Sequence, residues 1–204
     1  KQKYMRNAMP TNKKDIQEDH THEELALMAV NLAGQIGWAD VRLSDIAEEA
    51  NISLAQLSRH FRDKVEVLCA YGRYVDYRTL DDAGAPDLEV SPRDRLFDIL
   101  MARFDVLNDH RDGVASILHS LKTDPKQLVI SLPYLGRSMQ LMLEAAGLDA
   151  NGLRGAVRVV GLKLIYLKTL KIWMDDESPD MAKTMAALDK ALGKAENFAQ
   201  QFGL

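Results

Sequence analysis

Residues 21–68 have the sequence THEELALMAVNLAGQIGWADVRLSDIAEEANISLAQLSRHFRDKVEVL, which predicts three short helices and the start of a fourth. Thr21, followed three residues later by Glu24, has the pattern of a capping box, in which each side chain accepts a hydrogen bond from the other residue's backbone N–H. Gly37 predicts the end of the first helix. Apolar residues recur at helical spacing between these signals: Leu25, Met28, Ala29, Leu32 and Ile36.

The next two helices are predicted to be joined by a tight turn. Ser53 and Gln56 form a second capping box, which starts the third helix after a turn at Asn51. Leu57 and Phe61, four residues apart, are predicted to hold the third helix against the others. The second helix buries one face, made of Leu43, Ile46, Ala47 and Ala50. The third helix then presents the following side chains to solvent: Leu54, Ala55, Gln56, Ser58 and Arg59. This is the outline of a helix-turn-helix module, whose third helix is shaped to enter a DNA groove.

A third cap signal starts the fourth helix. Asp63 followed by Glu66 predicts that this helix begins at Lys64.

The same residues closely resemble the N-terminal signature of the TetR family of bacterial one-component regulators. The matching runs are residues 37–38, 45–53 and 57–68, and the resemblance covers about the first third of the chain. It implies an all-helical homodimer with an N-terminal DNA-reading module and a larger C-terminal helical domain. It also implies that a small, mainly hydrophobic effector releases the protein from its double-stranded DNA operator.

The resemblance implies a set of DNA-binding positions and departs from the family at three places. Ser58 stands where the family usually has a tyrosine that contacts a DNA phosphate. Arg42 replaces a small hydroxyl residue that caps the second helix, and Asp40 is a possible replacement cap. Asn51 replaces the turn glycine, and asparagine tolerates a positive φ. The implied DNA-binding residues are Arg42, Leu54, Ala55, Gln56, Ser58, Arg59, His60 and Lys64.

The charge pattern neither supports nor excludes DNA binding. The chain has 204 residues and a net charge of −4, and residues 21–68 contain four bases against eight acids. A DNA-binding surface gains affinity by replacing counterions on phosphates, so these bases must share one face. The leading residues 1–20 are basic as far as Asp15, which predicts either an arm that lies in a minor groove or a flexible solubilising tail. We therefore divide the chain into a flexible basic arm (1–20), a helix-turn-helix module (21–68) and a helical ligand-binding and dimerisation domain (69–204).

The remainder of the chain is predicted to be helical, which makes the fold class all-α. The fourth helix is expected to run to about Leu80, and Ser91 followed by Pro92 starts the next. Shorter and longer helices follow at about 114–121, 126–146 and 153–174. Ser178 followed by Pro179 is expected to cap the last helix, which ends near residue 202.

The last two helices are predicted to form the dimer interface. Residues 153–173 are apolar around most of the helix circumference, so one domain cannot cover them. Leu162 and Leu188 are the positions expected to contact the partner. Lys163 has two interpretations, a surface lysine whose stem lies along apolar residues or a charged anchor in a ligand pocket.

An apolar set of residues is the candidate ligand pocket, and it is equally typical of plain core. It comprises Phe97, Met101, Phe104, Met139, Met142, Tyr166 and Trp173. Three further residues could orient a ligand: His119, Tyr134 and Arg137.

A second resemblance leaves an alternative open for the C-terminal half. Tyr166, Thr169, Trp173, residues 175–180, Thr184 and Leu188 are similar to the TetR-fold lipid-binding protein of ubiquinone biosynthesis. That resemblance implies binding of lipid and a partner hydroxylase in place of DNA. The chain departs from that family at Gly152 and Leu153, where an aromatic pair is usual.

Catalysis and a cofactor are not expected. The five histidines form no helical metal pair, and no nucleophile motif or glycine-rich phosphate loop occurs. The single cysteine, Cys69, lies on an apolar helix and is predicted to be a buried structural thiol. No apolar run approaches the roughly 20 residues of a membrane span. Because a single cysteine cannot form an internal disulfide, a reducing cytoplasm is the expected compartment.

Overall fold

The computed structural model describes residues 21–85, 87, 89–123 and 125–202, with all side chains in these ranges except those of residues 123, 125–128, 131 and 202. The predicted basic arm, residues 1–20, lies outside the described residues. Nine α-helices and no strand occur within the described ranges, which confirms the all-α fold class. The helices are α1 (His22–Ile36), α2 (Leu43–Glu49), α3 (Leu54–His60), α4 (Lys64–Ala83), α5 (Pro92–Asn108), α6 (Arg111–Thr123), α7 (Pro125–Ala145), α8 (Gly152–Met174) and α9 (Ala182–Phe202). None of these helices combines the length and hydropathy that crossing a membrane would require.

Local side-chain caps begin α1 and α3, as predicted. Thr21 Oγ1 accepts from the Glu24 N–H at 3.2 Å, and Glu24 Oε2 accepts from the Thr21 N–H at 2.8 Å. Ser53 and Gln56 repeat this arrangement at 3.2 and 2.7 Å. Asn51 adopts a φ of 51° in the turn between α2 and α3, which is the conformation that its side chain tolerates. These four-residue interactions therefore fix the helix boundaries of the N-terminal module.

The start of α2 differs from the prediction. Arg42 occupies the N-cap position without a side-chain cap, and Asp40 does not cap the helix. Asp45 Oδ2 instead accepts from the Arg42 N–H at 2.8 Å. The carboxylate in the first turn thus satisfies one orphan backbone donor, so an upstream cap is not needed.

The last helix begins later than predicted. Ser178 does not start α9, which begins at Ala182, because residues 178–181 first turn beside the buried carboxylate of Asp176. That carboxylate accepts from the backbone N–H and the hydroxyl of both Ser178 and Thr184. Ser178 Oγ in turn accepts from the Ala182 N–H at 3.0 Å. Burial opposes the charge on Asp176, but these hydrogen bonds hold the pKa of its carboxyl well below the usual range.

The N-terminal module packs tightly on the rest of the chain. Helix α1 lies against α4 and α6, and Gly113 of α6 sits directly on the backbone of Val30. The Trp38 N–H donates to Ser116 Oγ at 2.8 Å, which joins the segment after α1 to α6. Helix α4 continues across the predicted boundary between Leu68 and Cys69, so one rigid helix belongs to both parts.

Candidate nucleic-acid interface and inner cavity

Helix α3 presents one face to the core and the other to solvent, as predicted. Leu57 and Phe61 are buried, whereas Leu54, Ala55, Ser58 and Arg59 are exposed. The seven residues of α3 include no acid, and Arg59 and His60 lie in its last turn. The acids of the module therefore lie outside the helix that would enter a groove.

The side chain of Gln56 caps the N-terminus of α3. Its Oε1 accepts from the Ser53 N–H at 2.7 Å, and the residue is partly buried. The carboxamide must leave this cap before it can contact a base edge. Gln56 is thus already hydrogen-bonded whereas Arg59 is exposed, although both are among the implied DNA-binding residues.

Two of the other predicted contacts also have intramolecular partners. Ser58 Oγ donates to the Ala55 carbonyl at 2.8 Å, within the same helix. The His60 ring lies against His22, with ring centroids 4.7 Å apart and the two Nδ1 atoms 3.5 Å apart. His60 thus ties the end of α3 to the start of α1.

The two predicted cations on either side of α3 differ in exposure. Arg42 is largely exposed, with only a loose pair to Asp45 at 3.8 Å. Lys64 Nζ donates to the Trp38 carbonyl and lies 4.5 Å from the centroid of the Trp38 ring. Burial lowers the pKa of Lys64, against the opposing charges of Asp40 and Asp45. Lys64 therefore stabilises the module as well as carrying a charge near its surface.

A basic hollow adjoins the C-terminal end of α3, with a volume of about 340 Å³. We call it the outer hollow. Its walls are His22, Ser58, Arg59, His60, Phe61, Arg62, Glu66, Cys69, Arg73 and Tyr134. Arg62 and Arg73 were not among the predicted site residues. The spacing of Cys69, Arg73 and Asp76 places them on one face of α4 and is the signal that would have found Arg73.

A second hollow lies deeper, between α4, α5 and α7, and has a volume of about 290 Å³. We call it the inner hollow. It is lined by Leu68, Cys69, Gly72, Arg73, Asp76, Arg103, Tyr134, Leu135, Arg137 and Ser138. Two of the three predicted ligand-orienting residues, Tyr134 and Arg137, therefore line it, while His119 lies elsewhere with Nδ1 at 2.8 Å from the Ala115 carbonyl.

A buried ionic cluster forms the floor of the inner hollow. Arg103, only 4% exposed, pairs with Asp76 through Nη1, and its Nε donates to Tyr166 Oη at 3.2 Å. Ser138 Oγ lies 2.8 and 2.6 Å from the two Asp76 oxygens. Burial would lower the pKa of Arg103, but its interactions with Tyr166 and Asp76 raise it above its ordinary value. The cluster joins α4, α5, α7 and α8.

The predicted apolar pocket is part of the closed core. Phe104, Met139, Met142, Tyr166 and Trp173 are buried, and Phe97 and Met101 pack against the same core. The Phe104 ring stacks on Tyr166 with centroids 5.4 Å apart. A larger cavity, an apolar groove of about 530 Å³ between α5, α7, α8 and α9, contains none of these seven residues. The set therefore contributes packing in this structure.

Cys69 is buried, with its thiol between the two hollows. Burial raises the pKa of this thiol, which keeps it protonated and weakly nucleophilic. Within the described residues, no three His, Cys, Asp or Glu side chains gather as a metal site would need.

The two leucines expected in a dimer interface belong to the protomer's own core. Leu162 and Leu188 are buried, because α8 and α9 pack on each other and on α5 and α7. The exposed apolar residues of α8 lie on another face, at the spacing four, three, four along the helix: Leu153, Val157, Val160 and Leu164. Lys163 is half-buried beside this face, which is compatible with a lysine stem lying along an apolar surface.

Comparison with known proteins agrees with the helix-turn-helix geometry. Residues 28–71 match the family described as bacterial regulatory proteins, tetR family. No curated protein matched the sequence significantly. A TetR transcriptional regulator from Nitrosomonas europaea shares the fold with a TM-score of 0.70 at 27% identity, over 87% of this chain and 99% of that one.

More distant structures share the fold alone. A TetR transcriptional regulator from Rhodococcus sp. RHA1 aligns with a TM-score of 0.59 at 20% identity, over 86% of this chain and 97% of that one. BioQ, solved with its natural double-stranded DNA operator, aligns with a TM-score of 0.50 at 19% identity, over 85% of this chain and 98% of that one. The chain is thus similar to TetR-family regulators in the sequence of its helix-turn-helix segment and in its fold. These matches add no evidence for the lipid-binding resemblance.

Proposed function

We propose that the protein is a TetR-like one-component transcriptional regulator, a homodimer that binds double-stranded DNA and is released by a small effector. The observation that carries the proposal is α3, a short capped helix with Leu54, Ala55, Ser58 and Arg59 exposed and no acid of its own. A helix of this kind, held by Leu57 and Phe61, fits the major groove. The role is one of binding, with no catalytic step.

The exposed residues of α3 divide into two kinds of contact. Arg59 has a guanidinium free to donate two hydrogen bonds to a guanine edge, and Leu54 and Ala55 offer apolar contact to a thymine methyl group. Arg42, His60 and Lys64 are assigned to the phosphate backbone, where contacts position the protein without reading sequence. Ser58 joins them only if its hydroxyl leaves the Ala55 carbonyl. Gln56 joins the base contacts only if DNA displaces its carboxamide from the Ser53 N–H.

A second copy of the chain is proposed to cover the exposed face of α8. Leu153, Val157, Val160 and Leu164 form a continuous apolar stripe, with Leu153 83% and Leu164 62% exposed. Exposed apolar stripes of this kind mark interaction sites. The apolar groove begins at the same stripe, since Val157 lines it, so a partner seated there would also border the groove. The two-fold symmetry of such a dimer would place the two α3 helices at half-sites about one DNA turn or a multiple apart.

Selection of bound sequences from random double-stranded DNA tests the regulator proposal. The wild-type protein is expected to enrich a palindromic sequence at low salt. Arg59→Ala should relax the preference at one position of each half-site, a loss of about 1–3 kcal/mol in discrimination. Lys122→Ala, which removes an exposed charge from α6, is the matched control and should leave the preference unchanged. A wild-type protein that enriches no sequence would falsify the proposal.

Effector release is proposed to act through α4. This helix begins beside α3 at Lys64 and carries Cys69, Arg73 and Asp76 in the walls of the hollows. A ligand that binds better to one position of α4 shifts DNA affinity by its differential affinity for that position. The linkage is reciprocal, so operator must change ligand affinity by the factor by which ligand changes operator affinity.

A further inference from the structure

The inner hollow carries more positive than negative charge. Its walls contain three guanidinium groups, those of Arg73, Arg103 and Arg137, and one carboxylate, that of Asp76. The walls therefore hold a formal excess of two positive charges within about 290 Å³. Arg103 is buried, whereas Arg73 and Arg137 are exposed at the rim of the hollow. The excess favours an anion most strongly next to Arg103, because charges in a low-dielectric setting interact more strongly than they do in water.

The single carboxylate of the inner hollow, that of Asp76, already has hydrogen-bonding and ionic partners. Asp76 accepts from Ser138 Oγ at 2.8 and 2.6 Å and pairs with Arg103. Its charge is compensated on the floor of the hollow and does not balance the two arginines at the rim. Among the described residues, neither Arg73 nor Arg137 forms an ion pair, and Arg137 only lies 5.6 Å from the centroid of the Tyr134 ring.

The buried arginine also has donor capacity left. The hydrogen bonds of Arg103 to other described residues use Nε and Nη1 and leave Nη2. Guanidinium groups bind carboxylates with two parallel hydrogen bonds, which gives both strength and orientation. The remaining walls are partly apolar, with Leu68, Leu135 and the Tyr134 ring. The hollow thus combines donors for an anionic group with space for an apolar body.

We propose that the inner hollow binds a small monocarboxylate with an apolar body, and that this compound is the effector. Only the effector role rests on the proposed regulator function; the binding of a monocarboxylate does not. The carboxylate lies between Arg73, Arg103 and Arg137, and the apolar body lies against Leu68 and Leu135. This replaces the purely apolar effector that the sequence resemblance implies.

The two hollows share a wall, which gives the effector a route to the DNA face. Arg73 and Tyr134 line both hollows, and the outer hollow also contains Arg59 and Arg62. A carboxylate in the inner hollow draws Arg73 inward and removes one cation from the neighbourhood of α3. DNA affinity then falls, and the salt dependence of DNA binding becomes shallower, because less positive charge lies near the phosphates.

Thermal unfolding and calorimetric titration of the full chain test the binding step. Benzoate, phenylacetate and octanoate are the probes, with benzyl alcohol as the neutral counterpart of benzoate. At least one of the three carboxylates is expected to raise Tm and to bind, while benzyl alcohol does neither. Arg73→Gln and Arg137→Gln should each weaken carboxylate binding about tenfold to hundredfold, the cost of one charge-assisted hydrogen-bonding partner. Arg154→Gln, which removes an exposed arginine outside the hollow, should leave the affinity unchanged.

The outcomes separate this inference from the regulator proposal. If none of the three carboxylates binds, or if benzyl alcohol binds as tightly as benzoate, the anion site is refuted while sequence-selective DNA binding by the ligand-free protein stands on its own. The anion site is also refuted if Arg154→Gln weakens binding as much as Arg137→Gln does. Carboxylate binding that leaves operator affinity and its salt dependence unchanged refutes the effector role.

Discussion

The contact between α1 and α6 predicts that adding one methyl group at Gly113 strongly lowers the stability of the protein. A Cβ added at Gly113 would lie 2.0 Å from the Val30 carbonyl oxygen and 2.8 Å from the Val30 carbonyl carbon. Ordinary van der Waals contact begins at 3.4 Å, so α6 must retreat from α1 by more than about 1 Å. The obstructing atoms belong to the backbone of a helix and cannot rotate away.

The size of the effect follows from two opposing contributions. Overpacking of a close-packed site costs about 1–3 kcal/mol, and a backbone obstruction places Gly113→Ala near the upper end of that range. Alanine returns up to about 1 kcal/mol in helix propensity. The net loss is therefore about 2 kcal/mol, which for a chain of this length lowers Tm by about 4–8 °C.

Thermal unfolding followed by far-ultraviolet circular dichroism measures this loss, with Gly136→Ala in α7 as the matched control. Apart from its own helical turn, no part of the described structure lies within 4 Å of a Cβ at Gly136, so only the propensity gain remains, and Tm should rise by about 1–4 °C. A Gly113→Ala protein that is as stable as the control would show that α1 and α6 are not in direct backbone contact. A tight junction between the N-terminal module and the C-terminal helices would then be refuted.

Three further predictions concern the buried carboxylate of Asp176, the exposed apolar residues of α8 and Lys64 at the start of α4. Asp176→Asn should lower stability by about 2 kcal/mol at neutral pH, because the amide loses charge-assisted hydrogen bonds. The pKa of Asp176 is lower in the folded than in the unfolded protein, so its contribution to the free energy of unfolding is present above the unfolded pKa near 3.8. That contribution is lost as the pH falls through the lower folded pKa. Urea unfolding should therefore show the variant and the wild type converging in strong acid. Leu164→Glu should give a monomer by light scattering, whereas Leu54→Glu, equally apolar and exposed but on α3, should leave a dimer; a dimeric Leu164→Glu protein would move the interface elsewhere. Lys64→Ala should both weaken binding to all DNA sequences alike and lower Tm, because Nζ also holds the Trp38 carbonyl, and an unchanged Tm would contradict the structural role.

The helix boundaries of the N-terminal module were predictable because their causes are local. The caps at Thr21 and Ser53 involve partners three residues away, and the positive φ at Asn51 depends on one side chain. The start of α9 was missed because its cause spans eight residues: the carboxylate of Asp176 accepts from the N–H of Thr184, in the first turn of the helix. Interactions of that reach leave no periodic signal in the sequence.

The faces of α8 could not be distinguished from the sequence. Leu162 and Leu164 are two residues apart in a helix that is apolar nearly all round, yet the first is core and the second is 62% exposed. Which face the protomer covers depends on where α5, α7 and α9 pass, and these positions are set by packing in three dimensions. The sequence likewise could not distinguish an apolar ligand pocket from plain core, because an apolar helix face fits a closed core as well as a cavity.

The ionic cluster was beyond sequence reasoning for a related reason. Asp76 is separated from Arg103 by 27 residues and from Ser138 by 62. Each residue alone has the ordinary appearance of a polar surface position in an amphipathic helix. Only the convergence of α4, α5 and α7 makes them one site, so the charge excess that suggests an anion appears first in the structure.

The two tryptophans lie in different parts of the molecule, so their fluorescence can report on each part separately. Trp38 is buried in the N-terminal module beneath Lys64, and Trp173 is buried in α8, where the Arg111 guanidinium lies 4.6 Å from its ring centroid. The chain contains no other tryptophan. Trp173→Phe and Trp38→Phe therefore each leave a single tryptophan, the first reporting on the module and the second on the C-terminal helices. Because α4 and the Gly113 contact join these regions, the two emission signals should change at the same denaturant concentration, as they do in a protein that unfolds as one cooperative unit.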